Sequence, residues 1–271
     1  MTEVNPYYEK NGVTLYCDDI DSVCRHRSFL ANLIIADPPF NLKKVFDQNW
    51  ERDEYYGWCD TWIAESFEHL SPGGSIFLMT IQEHVGEMMR LMGKWGTFKN
   101  LIIWHNSSMP VKNRFCIGYQ PILWYVHDDN DYIFNYGSEQ RHSKAAIPWG
   151  RKNKSHSLKD IWDDIPFVSA GCMASKEAIL VPGTKKKVHS AQMPIRLAER
   201  MIKYCSNPGD TILDVFAGSG TTLVAARGLD RKSIGIEKNE EYCRLIIDRL
   251  EGRIIAEADI PKKNSRKDIF G

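Results

Sequence analysis

Short apolar runs alternate with stretches of helical period along this chain, and that alternation is what most limits its fold. Residues 13–17 read as a strand that ends at Asp18 and Asp19, and residues 32–36 as a second, stopped by Asp37-Pro38-Pro39-Phe40. An apolar run closed by prolines suits a strand buried on both faces of a parallel sheet. Residues 41–53 carry no period, and residues 55–70 show helical spacing that the Ser-Pro-Gly-Gly run at 71–74 ends. Strands are predicted at 75–79, 101–104 and 121–126, with a helix over 83–95. From about 128 to 187 the period fades and the composition becomes polar, basic and aromatic. The rhythm then resumes: helix 192–205, strand 211–215, helix 221–227, strand 233–236, helix 239–250, and a basic tail from 256. Such repetition implies an α/β fold with a mostly parallel sheet covered by helices on both faces, interrupted by an insertion.

The 271 residues are enough to bury a full α/β core, and 43% hydrophobic with 26% charged residues excludes disordered and collagen-like classes. Thirty-five basic and 35 acidic side chains cancel, so attraction to a polyanion has to come from a local patch. Seven cysteines, an odd number without a Cys-x-x-Cys pair, are read as reduced core thiols rather than a disulfide framework or a zinc knuckle. No metal site is expected. The polar first ten residues lack the pattern of a secretory signal and no apolar run approaches a bilayer span, so a cytoplasmic location is expected.

Asp214-Val215-Phe216-Ala217-Gly218-Ser219-Gly220-Thr221-Thr222 joins a predicted strand to a predicted helix, and its glycines let the backbone turn tightly against a ligand. The next strand ends at Glu237, 17 residues beyond Gly220, where a carboxylate can accept both ribose hydroxyls. A pyrophosphate fingerprint wants a small residue where Leu223 stands, and no Gly-Lys-Ser/Thr is present for a triphosphate. The pattern therefore points to a nucleoside without phosphates, with S-adenosyl-L-methionine the candidate and Asp214 placed to pair with its cationic amine.

Asp37-Pro38-Pro39-Phe40 closes the second strand. Both prolines fix φ and remove donors, which leaves carbonyls free to face a cleft. An amino group conjugated to a nucleobase is a poor nucleophile; accepting its two N–H bonds at the Asp37 carboxylate and the Pro38 carbonyl favours a pyramidal nitrogen able to attack a sulfonium methyl. Phe40 offers a face on which an extruded base stacks.

Together the two motifs resemble the amino-methylating DNA methyltransferases, which make N6-methyladenine or N4-methylcytosine. Asp37 precedes Asp214 by 177 residues, so the catalytic half comes first, similar to the permuted beta class of that family. His189-Ser190-Ala191-Gln192-Met193-Pro194, Asn207-Pro208-Gly209-Asp210, and Gly235-Ile236-Glu237 followed by Glu241-Tyr242 also resemble that class in order and spacing. The resemblance implies a Rossmann-like, circularly permuted methyltransferase fold with a seven-stranded sheet, one strand of which, 121–126, runs antiparallel beside a neighbour. It implies catalytic roles for Asp37, Pro38, Pro39 and Phe40. It implies a cofactor site of Asp19 (with Asp18 beside it), Asp37, Gln192, Asp214, the loop residues Phe216, Ala217, Gly218, Ser219, Gly220, Thr221 and Thr222, and Glu237. Met193 and Val215 stand where the family usually has Lys and Pro.

The same resemblance divides the chain into a catalytic half (1–127), a target-recognition insertion (128–187), a cofactor-binding half (188–255) and a basic tail (256–271). The insertion agrees: residues 141–159 hold six Lys or Arg and no Asp or Glu. Arg141, Lys144, Arg151, Lys152 and Lys154, with Lys185, Lys186 and Lys187, are the expected phosphate contacts on double-stranded DNA. The expected activity is transfer to adenine N6, which Asp rather than Ser at 37 favours within the family, with cytosine N4 as the alternative. A silent DNA-binding relative and a nicotinamide oxidoreductase are the rivals from other classes. The aromatic side chains Tyr55, Tyr56, Trp58 and Trp62 are read as core, His105 and Asn106 as local caps, and the loop 41–53 as a cover for the flipped base. Relatives in this class often dimerise; the sequence leaves monomer and homodimer both open.

Overall fold

The computed structural model describes residues 4–42, 49–105, 112–113, 115–136, 158–168, 177–179 and 192–254. Among the described residues nine strands form one sheet in the order β1-β2-β9-β8-β3-β4-β6-β5-β7. They are β1 (Tyr8–Lys10), β2 (Val13–Tyr16), β3 (Ala31–Ala36), β4 (Leu70–Met79), β5 (Thr97–His105), β6 (Tyr119–Val126), β7 (Ile161–Trp162), β8 (Thr211–Asp214) and β9 (Lys232–Ile236). The helices are α1 (Ile20–His26), α2 (Arg52–Glu68), α3 (Val85–Met92), α4 (Ile195–Cys205), α5 (Thr221–Gly228) and α6 (Glu240–Leu250). The expected seven strands form the continuous middle of this sheet, β2 to β5, and β6 is antiparallel to both of its neighbours, as expected. The two additional strands are short and sit at the edges.

Side chains alternate across the pleat and so build two separate cores. Leu33, Ile35, Phe77 and Met79 face one layer with Leu197, Met201, Leu223 and Ile246 of α4, α5 and α6. Ile34, Ala36, Ile76 and Leu78 face the other with Val23, Trp62, Phe67 and Leu91 of α1, α2 and α3. Central β3 is parallel to both β4 and β8, and Leu33 to Ala36 are fully buried, which is why its sequence is a continuous apolar run.

Three elements differ from the sequence expectation. The hairpin β1–β2 turns at Asn11 and Gly12, both at positive φ (53° and 75°), the conformation a tight two-residue hairpin needs. Asp18 and Asp19 do not merely end a strand: Asp19 caps the short helix α1 by accepting from the Ser22 N–H at 2.9 Å. The Ser-Pro-Gly-Gly run lies within β4, whose register on β3 slips between Ala31 and Leu33, so it forms a bulge.

Parts of the predicted insertion belong to the main sheet. β7 pairs with β5, Ile165 accepts from the Trp104 indole N–H at 2.9 Å, and the Asn135 N–H donates to Tyr204 O at 2.7 Å. Six described cysteines are free; five are buried or half-buried, whereas Cys116 is exposed, against the reading of every thiol as core. Among the described residues no helix is long and apolar enough to cross a membrane, and no cluster of His, Cys, Asp and Glu is arranged to hold a metal.

Candidate active site

The direction of winding reverses between β3 and β8. From β3 the chain passes through α2 to β4 on one side, and from β8 through α5 to β9 on the other. Such a switch point opens a crevice at the carboxyl ends of its two strands. Ile35 of β3 is in register with Asp214 of β8, which brings the Asp37 turn and the glycine loop to the same place.

Both carboxylates there are perturbed. Burial, then the charge of Asp214, pushes Asp37 up to about 7, and its Oδ1 is enclosed without a hydrogen-bond partner. Asp214 is pushed up to about 6 by burial, although the Phe216 N–H donates to its Oδ1 at 3.1 Å. Burial also raises Glu237, whose Oε2 accepts from the Gly218 N–H and whose Oε1 accepts from the Asn239 N–H, each at 2.8 Å. A carboxylate oxygen has lone pairs beyond one acceptor bond, so Glu237 is oriented by the backbone and still able to accept hydroxyl groups.

The glycine loop is shaped by φ values of 51° at Gly218 and 75° at Gly220, which a side chain rarely adopts. A Cβ on Gly220 would lie 2.9 Å from Ile246 Cγ1, so this glycine also admits α6. Ser219, Thr221 and Thr222 are buried under the loop, and the Ser219 and Thr221 hydroxyls lie 3.2 Å apart. Arg249 of α6, itself buried, donates to Ser219 O and to Thr221 Oγ1. The hydroxyls of Ser219 and Thr221 thus support the loop from inside. Ala217 is buried and donates its N–H to Ile236 O at 2.9 Å.

Phe216 is half-buried, and the rings of Trp58 and Trp62 stand 5.7 and 5.1 Å from it. Tyr55, on the same helix, donates its hydroxyl to Pro39 O at 3.0 Å. α2 therefore ties the two motifs together. Tyr55 and Trp62 are core, as expected, while Tyr56 and Trp58 are only half-buried.

Other expected residues fall differently. Asp19 lies at the crevice side of β2, with one carboxylate oxygen committed to the cap of α1 and Asp18 holding the Asp19 N–H and the Ser22 hydroxyl. Gln192 is buried and spends its amide on the chain, accepting from the Ile179 N–H and donating to Glu177 O. Met193 and Val215 are buried, so apolar side chains suit both places. His105 is exposed at the end of β5. Arg141, Lys144, Arg151, Lys152, Lys154, Lys185, Lys186 and Lys187, with Asn106 and residues 43–48 of the expected cover, lie outside the described residues. Sequence reasoning missed His84 and Arg249. His84 stands where the sequence reads as the start of a helix, although the helix begins at Val85, and nothing in that context marks it as a partner of residue 40; Arg249 has the sequence context of an ordinary surface arginine at the end of a helix.

A family model described as DNA methylase, covering N6 and N4 enzymes, matches residues 31–248. The chain is 34% identical to the DNA adenine methyltransferase YhdJ of Escherichia coli, over 81% of this chain and 76% of that protein. It is 30% identical to the type II methyltransferase M.ScaI of Streptomyces caespitosus, over 91% of this chain and 84% of that protein. In fold it is similar to M1.HpyAVI crystallised with S-adenosylmethionine, with a TM-score of 0.59, 22% identity, and 88% of this chain and 99% of that chain covered.

Proposed function

The chain belongs to the N6/N4 DNA methylase family, and from that premise we propose that it moves a methyl group from S-adenosyl-L-methionine to the N6 amino group of adenine. The base is one turned out of double-stranded DNA. The observation that carries this reading is the carboxylate of half-buried Asp37, enclosed and unpartnered at Oδ1, at the crevice it shares with Asp214. A lone buried acceptor is costly unless something donates to it, and an exocyclic amino group does.

The residues also fit the cofactor. Glu237 would hold the ribose hydroxyls on its remaining lone pairs, Asp214 the cationic amine, and the left-handed Gly218 and Gly220 admit the ligand close to the backbone. Bound there, S-adenosyl-L-methionine supplies an electrophilic methyl group. Asp37 as carboxylate accepts one amino N–H and the Pro38 carbonyl the other, which draws the nitrogen lone pair out of conjugation. Asp37 would then take the proton that the nitrogen sheds as the N–C bond forms and the methyl carbon's bond to sulfur breaks, the sulfur leaving as a neutral thioether. An acceptor whose affinity for protons lies near neutrality suits that task. Phe40 stacks on the extruded ring.

Adenine is favoured by Asp at position 37 and by the likeness to a relative named an adenine methyltransferase. Cytosine N4 would use the same geometry. Mass spectrometry of nucleosides from DNA of a methylation-deficient host expressing the chain separates them: new N6-methyladenine is expected, and new N4-methylcytosine would keep the mechanism and change the base. Asp37→Ala in parallel is expected to bind cofactor and to lose at least about 100-fold in transfer; residual activity within about tenfold of wild type would overturn the role of Asp37.

A further inference from the structure

The catalytic turn is held by side chains from other elements. Pro38 and Pro39 contribute no N–H, and Asn41 leaves the turn at a φ of 54°, so the turn has few backbone donors of its own. Side chains from elsewhere take its carbonyls. Tyr55 donates to Pro39 O, and His84, in the turn after β4, places Nε2 3.0 Å from Phe40 O. The other ring nitrogen, Nδ1, lies 2.9 Å from the Tyr56 hydroxyl.

The chemistry of these partners assigns the protons. A carbonyl only accepts, so Nε2 carries the hydrogen; in the neutral ring Nδ1 is then a lone pair, which accepts from the Tyr56 O–H. Tyr56 thereby selects the tautomer that can grip Phe40. The contact lies at the wall of a cavity of about 450 Å³, lined by Trp50, Arg52, Tyr55, Tyr56 and His84. Asn41 closes the far end of the turn by exchanging two 2.9 Å bonds with the Trp50 backbone.

From this geometry we infer that His84, set by Tyr56, is a positioning residue for methyl transfer: it holds the Phe40 peptide, and with it the stacking ring and the Asp37 acceptor, in the attacking arrangement. The inference rests on the methyltransferase reading above. It concerns orientation at the moment of reaction rather than affinity, and misplacement by about 1 Å can cost on the order of 100-fold in rate. Cofactor affinity is expected to be indifferent, because the cofactor loop runs from β8 to α5 and the hydrogen bonds of His84 go to Phe40 and Tyr56 rather than to that loop.

Methyl transfer to DNA from labelled cofactor, with kcat and KM for DNA, calorimetric cofactor affinity and a thermal melt, is measured for wild type and four variants. His84→Ala is expected to lower kcat roughly 10- to 100-fold, with KM for DNA within about threefold and cofactor affinity within about twofold. His84→Gln, whose amide N–H reaches the position of Nε2, restores kcat to within about threefold, whereas the shorter His84→Asn does not. Tyr56→Phe, which leaves the ring in place but frees its tautomer, loses a smaller factor, about 3- to 10-fold. Wild-type kcat in His84→Ala overturns the inference. An equal loss in Ala, Asn and Gln, together with weaker cofactor binding and a lowered melting temperature, overturns it too, since His84 would then only stabilise the fold. A wild-type chain that methylates no DNA overturns the parent reading and this one with it; one that methylates DNA while His84→Ala is equally fast overturns the positioning role alone.

Discussion

Asp37, half-buried with its Oδ1 enclosed, and Asp214, buried, share a crevice, and their proton affinities pull stability and activity in opposite directions. Asp37 holds its proton up to about pH 7 in the folded protein, against 3.8 for an unperturbed aspartate. Between those values the folded state binds more protons than the unfolded chain, so stability falls as pH rises. Asp214, raised to about 6, adds to the same slope over the lower part of that window. Asp37→Asn removes one of the two ionisations. Its melting temperature is expected to match wild type at or below about pH 4 and to exceed it increasingly up to pH 8, by about 2–4 °C for each kcal/mol relieved, read from melts across that range. Catalysis needs the carboxylate form, so kcat/KM of the wild type is expected to rise tenfold per pH unit below about 7 and level off above it. A flat profile from pH 5 to 8 would place the proton acceptor elsewhere.

At the scale of elements, the cofactor loop depends on how closely α6 approaches the start of α5. Gly220 precedes α5 at a φ of 75°, and a Cβ there would press on Ile246 of α6 at 2.9 Å and 3.0 Å. Gly220→Ala therefore meets both left-handed strain, about 1–2 kcal/mol, and a clash. A loss of about 2 kcal/mol, or roughly 4–8 °C in melting temperature, is expected, with weaker cofactor binding because the loop backbone must shift. Unaltered stability in a thermal melt would mean that the loop relaxes freely. Arg249 acts at the same junction from the other side, tying Ser219 and Thr221 to α6. α2 performs the corresponding service for the catalytic turn, reaching Pro39 with Tyr55 and Phe216 with Trp58 and Trp62.

At the scale of the whole molecule, zero formal charge means that any attraction to DNA has to come from a local concentration of cations. Neutralising Lys185, Lys186 and Lys187 together to Ala is expected to weaken binding across DNA sequences and to reduce the slope of log affinity against log salt by about 1–3, with cofactor affinity unchanged. A salt slope equal to that of wild type, measured by fluorescence anisotropy, would remove these lysines from the interface.

Much of this architecture was legible in the residue order because its causes are local. Leu33 to Ala36 form an unbroken apolar run only because both faces of β3 are covered, Asn239 caps α6 where the strand pattern ends, and the glycines at 218 and 220 mark a strand-to-helix turn. Asp37-Pro38-Pro39-Phe40 and the Phe216 loop are continuous motifs, so the resemblance to the amino-methylating methyltransferases was visible along the chain. Short elements escaped because they offer too few periods: α1 has seven residues and β7 two. What only the tertiary structure decided is partnership. The burial that raises Asp37, the register that sets Asp214 beside it, the capture of Gln192 by residues 177 and 179, and the grip of His84 on Phe40 all join positions from 13 to 177 residues apart. A pattern along the chain reports what each residue can do with its neighbours in sequence; which distant group it meets, and how dry that meeting is, depends on the packing of the whole sheet.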